Sequence, residues 1–240
     1  MKDSGFDIIA EGVTKSFGNV QALRGVDLKV KIGEFLTVFG PNGAGKTTLI
    51  KLLATLTKPT SGNVTIANHD IKVEPDKVRA VLGVISHDPY LYENLSAIEN
   101  IRFFASLYGI SAVEERSIQV IKRVGLEGRM HDLVRTFSRG MKQRLAVARA
   151  VIHEPKILLL DEPYTGLDQH GSRIFTEMLG WLKAENRTVV MTTHDIAEGL
   201  EISNSVAILS GGKIAYQSDT DGVELSRFKE IYFEKVGNRT

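Results

Sequence analysis

The sequence contains no cysteine, which excludes a disulfide scaffold, a thiolate zinc site, a thiol nucleophile and thioether-linked haem. Proline is sparse, at six residues, and tryptophan occurs once. No proline-, glycine- or serine-rich linker divides the chain, so a single domain over residues 1–240 is expected. Charge of one sign is also lacking, since 30 Lys and Arg stand against 29 Asp and Glu. That balance removes the basic excess of a nucleic-acid binder, and no nucleic-acid partner is expected. No apolar run approaches the roughly 18 residues of a membrane span. Ile157 to Leu160 is broken at once by Asp161-Glu162. Met1 to Glu11 lacks the basic and apolar regions of a signal peptide. If the protein works at a membrane, a partner must hold it there.

What is present is a globular composition, 42% hydrophobic and 25% charged, in a chain long enough for a sizeable core. Val26, Leu28, Val30 and Ile32 alternate with Asp27, Lys29 and Lys31, the period of a half-buried strand. A more apolar strand over 34–39 runs into Gly40-Pro41-Asn42-Gly43, and a helix is expected from about 45 to 55. Further strands are expected at 63–67 and 82–85. Ile98, Ile101, Phe104, Ala105 and Tyr108, then Val113, Ile118, Ile121 and Val124, recur at helical spacing and mark an inserted α-helical subdomain over about 88–149. Strands near 156–160, 188–191 and 206–209 then alternate with helices near 171–183 and 195–201. The class is α/β, with a mostly parallel sheet covered on both faces.

Gly40, Pro41, Asn42, Gly43, Ala44, Gly45, Lys46 and Thr47 satisfy G-x-x-x-x-G-K-[ST] between an expected strand and an expected helix. The glycines let backbone N–H groups and the helix N-terminus face phosphate oxygens. Lys46 adds a charge for the β- and γ-phosphates, Thr47 offers its hydroxyl to Mg²⁺, and Thr48 continues the cradle. The run 157–160 delivers two carboxylates at the strand end where α/β sheets bind ligands. Asp161 is placed to hold Mg²⁺, and Glu162 to polarise the water attacking the γ-phosphate. The bland alternative for the pair is an acidic helix cap. Ser138 is a good N-cap for the apolar helix that follows, and Gly140 permits close backbone approach. The six histidines show no zinc-like spacing.

With Ser138-Arg139-Gly140-Met141 placed roughly 20 residues before Asp161-Glu162, the chain resembles the ATP-binding cassette family of transporter ATPases over nearly its whole length. The resemblance implies a RecA-like P-loop NTPase with an N-terminal antiparallel β part, using ATP and Mg²⁺. Residues 137–141 look like the family signature Leu-Ser-Gly-Gly-Gln, with Phe137, Arg139 and Met141 departing from it and Ser138 and Gly140 kept. Phe17 is similar to the aromatic that stacks on adenine; a core phenylalanine is its plain alternative. Asp168, in Thr165-Gly166-Leu167-Asp168, resembles the loop through which two subunits sense each other, and it is also a possible helix cap. His194 resembles the switch histidine at the γ-phosphate. His87 stands where most members carry Gln, a position that relays nucleotide state to the membrane subunit. The family further implies a head-to-tail homodimer with ATP at the interface, seated on an integral membrane permease at the cytoplasmic face of the inner membrane. The patterns 87–95 and 99–104 look like haem exporter ATPases of cytochrome c maturation (CcmA-like), with no direct haem binding by this subunit. Drug, lipid or polysaccharide exporters share much of these segments. A soluble cassette ATPase, used in DNA repair or translation, is the competing class.

Overall fold

The alternation in the first third of the chain builds a hairpin. Strands β1 (Phe6–Phe17) and β2 (Val20–Lys31) pair antiparallel around Gly18, whose φ of +56° suits glycine. Leu23, Val26, Leu28 and Val30 are buried while the residues between them face solvent. Ile32, expected as the last inward residue, instead lies beyond the strand and is 49% exposed. The chain reverses there, as Glu34 N donates to Lys31 O at 3.1 Å and Gly33 takes φ +74°.

The structure, a computed structural model, describes residues 5–237. The ends of the expected 1–240 cassette, and the first residues of the Met1 to Glu11 stretch, lie outside the described residues.

After β3 (Phe35–Phe39) come α1 (Lys46–Leu53), β4 (Ser61–Ile66), β5 (His69–Asp70), α2 (Pro75–Ala80) and β6 (Leu82–Ser86). The expected helical stretch holds α3 (Ala97–Leu107), α4 (Val113–Arg123), two short 3-10 turns and α5 (Arg139–Val151). The chain then runs β7 (Ile157–Asp161), α6 (Gln169–Ala184), β8 (Thr188–Thr193), α7 (Ile196–Ile202), β9 (Ser205–Ser210), β10 (Lys213–Asp219) and α8 (Leu225–Gly237).

Two sheets result. One is antiparallel, in the order β2-β1-β4-β5. The other has six strands in the order β10-β9-β3-β8-β7-β6, parallel except for β10 at its edge. This is the P-loop NTPase fold, with the antiparallel part at its N-terminal side. The apolar runs of β3 and β7 are explained by burial on both faces. Leu159 of β7 packs with Leu36, Leu49, Leu52 and Val64, whereas Leu158 and Leu160 pack with Phe35, Ile98 and Leu145. The helical stretch is therefore fastened to the sheet by the same strands that carry the site. Ser96 starts α3 with a full capping box to Glu99, worth about 1 kcal/mol.

Candidate nucleotide site

Four neighbouring parallel strands end on one side of the larger sheet. β3 runs into residues 40–48, β6 into His87, β7 into Glu162 and β8 into His194. Their loops line a cleft of about 670 Å³ that includes Asn42, Lys46, Thr47, His87, Glu162 and His194.

Glycine is required at two points of the loop. A Cβ on Gly40 would lie 2.4 Å from Leu209 O, and one on Gly45 would lie 2.7 Å from Ala22 O. Gly45 also takes φ +107°, a backbone that other residues rarely adopt. The loop is thus pressed between β2 and the β9–β10 turn, where Gly212 N donates to Ala44 O at 3.1 Å.

Lys46 is buried, and its Nζ meets three oxygens: Gly40 O at 2.7 Å, Pro41 O at 3.3 Å and Glu162 Oε1 at 3.2 Å. Asp161 is also buried, and its Oδ1 accepts from Thr47 Oγ1 at 3.2 Å and Thr192 Oγ1 at 2.8 Å. Thr192 is the register partner of Asp161 on β8, and its carbonyl and hydroxyl both accept from Glu162 N, at 3.1 and 3.2 Å. Sequence reasoning missed Thr192; its only signal was a polar pair closing an otherwise apolar strand. Glu162 itself takes φ +48°, a strained conformation costing roughly 1–3 kcal/mol. Its Oε2 lies 2.8 Å from His194 Nδ1. Glu162 caps no helix; the next helix, α6, is capped by Asp168. His87 reaches the cleft from β6, with Nε2 3.4 Å from Asp88 Oδ2.

The loop between Glu162 and Asp168 is anchored by buried Tyr164, whose OH lies 3.0 Å from Thr176 Oγ1. Burial pushes that phenol up to about 12. From α8, Tyr232 also approaches the site, and burial together with the Glu162 carboxylate raises its phenol above the usual value.

Ser138, Gly140 and Asp168 do not line this cleft. They meet in a second cavity of about 270 Å³. Ser138 Oγ accepts from Met141 N at 3.3 Å and Asp168 Oδ1 from Gly171 N at 2.7 Å, so each caps its helix. Arg139 Nε donates to Thr165 O at 2.9 Å, tying the start of α5 to the loop before Asp168. Phe17 ends β1 and is 54% exposed, so it is not a core residue; Lys15 Nζ sits 4.9 Å from its ring centroid. The residues after its turn, Val20 to Ala22, line the cleft.

A loop of backbone amides, a buried lysine and a Thr47–Asp161 oxygen pair at the carboxyl ends of parallel strands define a P-loop nucleoside triphosphatase. A family model described as "ABC transporter" matches residues 23–165. The uncharacterized ABC transporter ATP-binding protein YdbJ of Bacillus subtilis is 37% identical over 222 residues, covering 92% of this chain and 72% of that protein. A Nod factor export ATP-binding protein I of Cupriavidus pinatubonensis is 36% identical over 203 residues, covering 84% of this chain and 62% of the relative. Among solved structures, the dimeric post-hydrolysis state of the ATP-binding cassette MJ0796 bound to ADP and Pi superposes with a TM-score of 0.82. It is 29% identical, covering 90% of this chain and 99% of that one. The chain belongs to the ABC transporter family as an ATP-binding subunit, and it is an ATPase.

Proposed function

We propose that the chain is the ATP-hydrolysing subunit of a membrane exporter, acting as a head-to-tail homodimer on an integral permease. One observation carries this reading: the chain holds two half-sites that do not meet. Lys46, Glu162 and His194 share one cleft, whereas Ser138, Gly140 and Asp168 share another cavity. Two copies related by a twofold axis would bring each half-site against the other's complement, closing two nucleotide sites at once. MJ0796, whose cassette is a dimer in its own structures, supports the geometry.

Within each closed site, residues 40–48 cradle the phosphates and Phe17 offers its exposed face to adenine. Lys46 neutralises charge on the β- and γ-phosphates. Thr47 and Asp161 fit Mg²⁺, since both offer oxygen; among the described residues no three acidic or histidine side chains gather as a metal site of their own. Mg²⁺ held by these two residues would supply a hard positive charge against the charge developing on the phosphates. Glu162 takes the proton from the attacking water, and His194 fixes the carboxylate and reaches the γ-phosphate. His87 reports the state of the cleft to the helical subdomain over about 88–149, which carries the contact with the permease. Among the described residues no helix is long and apolar enough to cross a membrane. The place proposed is therefore the cytoplasmic face of the inner membrane, held by the permease.

For the cargo, the patterns 87–95 and 99–104 support the haem-exporter type of cytochrome c maturation, with haem handled by the membrane partner. The Nod factor export relative supports the second reading, an exporter of a drug, lipid or polysaccharide. Extraction of the tagged chain from native membranes in mild detergent, followed by mass spectrometry, separates them. Multi-span proteins of cytochrome c maturation support the first, and a different permease supports the second. Recovery alone in the soluble fraction with ATPase activity intact overturns the transporter reading.

A further inference from the structure

β8 closes in two buried threonines that differ in what they hold. Thr193 Oγ1 accepts from Asp195 N at 3.1 Å and opens the turn into α7. Thr192 is fully buried, in register with Val38 of β3 on one side and Asp161 of β7 on the other. Val189, Val190 and Met191 before it are apolar, as a strand covered on both faces requires. A hydroxyl at such a place must be hydrogen-bonded, and its partners fix its direction. Its oxygen accepts from Glu162 N at 3.2 Å, so its one hydrogen points elsewhere. Two acceptors are near, Asp161 Oδ1 at 2.8 Å and Leu160 O at 3.4 Å. The closer, charged oxygen takes it. Threonine is also stiff at χ1, which holds the hydroxyl in this direction.

The consequence falls on Asp161. Thr47 Oγ1 donates to the same Oδ1 at 3.2 Å. Two hydroxyl hydrogens therefore meet on one carboxylate oxygen, and among the described residues no group donates to Oδ2. Thr192 itself does not line the nucleotide cleft, so anything it does there it does through Asp161. We propose that Thr192 is a positioning residue for the metal. Its hydroxyl ties Oδ1 to β8 and so leaves Oδ2 for Mg²⁺ or a water on it. The proposal rests on the reading of Thr47 and Asp161 as the Mg²⁺ holders, and adds what orients the carboxylate. Groups that orient a metal-holding side chain typically change metal affinity by about 10- to 100-fold when removed.

Equilibrium binding of the non-hydrolysable analogue AMP-PNP, in excess Mg²⁺ and in EDTA, gives the gain in affinity that the metal supplies. Thr192→Val keeps the shape and removes the hydroxyl. It should cut the gain by at least about tenfold and leave the affinity in EDTA as it is. Thr192→Ala, smaller at the same place, carries the same expectation should the valine variant not fold. Thr192→Ser restores the hydroxyl and should recover most of the gain. Thermal unfolding of each variant separates a packing role, which would lower Tm and leave the gain untouched. Asp161→Asn, measured alongside, should also lose the gain. An undiminished gain in the folded Thr192→Val or Thr192→Ala chain, or a loss in Thr192→Ser as large as in Thr192→Val, overturns the proposal. When Asp161→Asn loses the gain in the same series, the Mg²⁺ reading stands. A gain untouched by Asp161→Asn overturns both.

Discussion

His194 Nδ1 lies 2.8 Å from Oε2 of Glu162, across the neighbouring strands β8 and β7. A carboxylate beside an imidazole nitrogen fixes the tautomer, so Nδ1 carries the hydrogen and donates it. The other oxygen, Oε1, faces Lys46 Nζ at 3.2 Å. Glu162 is thus held by the Lys46 ammonium on one side and the His194 imidazole on the other. On the proposed reading, a γ-phosphate entering the cradle would compete with Glu162 for Lys46. Lys46 turning to phosphate would, on the same reading, release Glu162 Oε1 to face the attacking water.

Glu162→Gln tests this directly. Loss of a general base is expected to lower kcat by about 10²–10⁴-fold. The amide also removes the competitor for Lys46 and a negative charge beside the phosphates, so ATP affinity should rise and the ATP-bound dimer persist. Phosphate release, equilibrium nucleotide binding and gel filtration read the three effects. Unchanged turnover would remove Glu162 from the role of base.

Lys46→Ala should act on binding before chemistry. It deletes a buried cation with three oxygen partners, and a hydrogen bond to a charged group contributes roughly 1.5–3 kcal/mol. ATP affinity should therefore fall by about 10- to 100-fold. The protein should remain folded, because Glu162 keeps His194 as a partner. Calorimetric titration with ATP decides it, and intact affinity would sink the phosphate-cradle assignment.

The P-loop and the Asp161-Glu162 strand could be read from sequence because their chemistry is local: glycines where backbone must approach backbone, and an apolar run ending in carboxylates. The hairpin partner β1 could not. Its burial follows no clean period, because its register against β2 shifts at several points, including between Ala10 and Val13. α8 was missed as well, although Phe228, Ile231, Tyr232 and Val236 recur at helical spacing and pack on one cluster; only Phe228 among them is fully buried. The Glu162–His194 contact joins positions 32 residues apart, and only the parallel pairing of β7 with β8 brings them together.

Acid should weaken the fold through His153. Burial lowers its imidazole below the ordinary 6.5, against the smaller opposing effect of its bond to Leu82 O. The unfolded chain then binds more protons than the folded one below that value. The stability is fully present above pH 6.5 and is lost as pH falls through the depressed folded value. His153→Gln keeps a donor for Leu82 O without titrating. Thermal unfolding between neutral and mildly acidic pH should show a shallower loss in the variant. Equal slopes would remove His153 as the source.

The link between the start of α5 and the loop before Asp168 gives the last prediction. Arg139 Nε donates to Thr165 O at 2.9 Å, and the guanidinium lies against Gly166, where an added Cβ would meet Nε at 2.5 Å. Two substitutions should therefore differ in size. Arg139→Gly removes one charge-assisted hydrogen bond that is largely exposed, so it should cost at most about 1 kcal/mol and lower Tm by about 2–4 °C. Gly166→Ala must both push the guanidinium away and hold alanine at φ +75°, so it should cost more, with left-handed strain alone worth about 1–2 kcal/mol. In the double variant the steric part disappears and the backbone part remains, so the two costs should not add. Thermal unfolding of the four proteins measures the coupling. Strict additivity would mean that Arg139 and Gly166 do not act on each other, and that the signature segment and the Asp168 loop are independent within one chain.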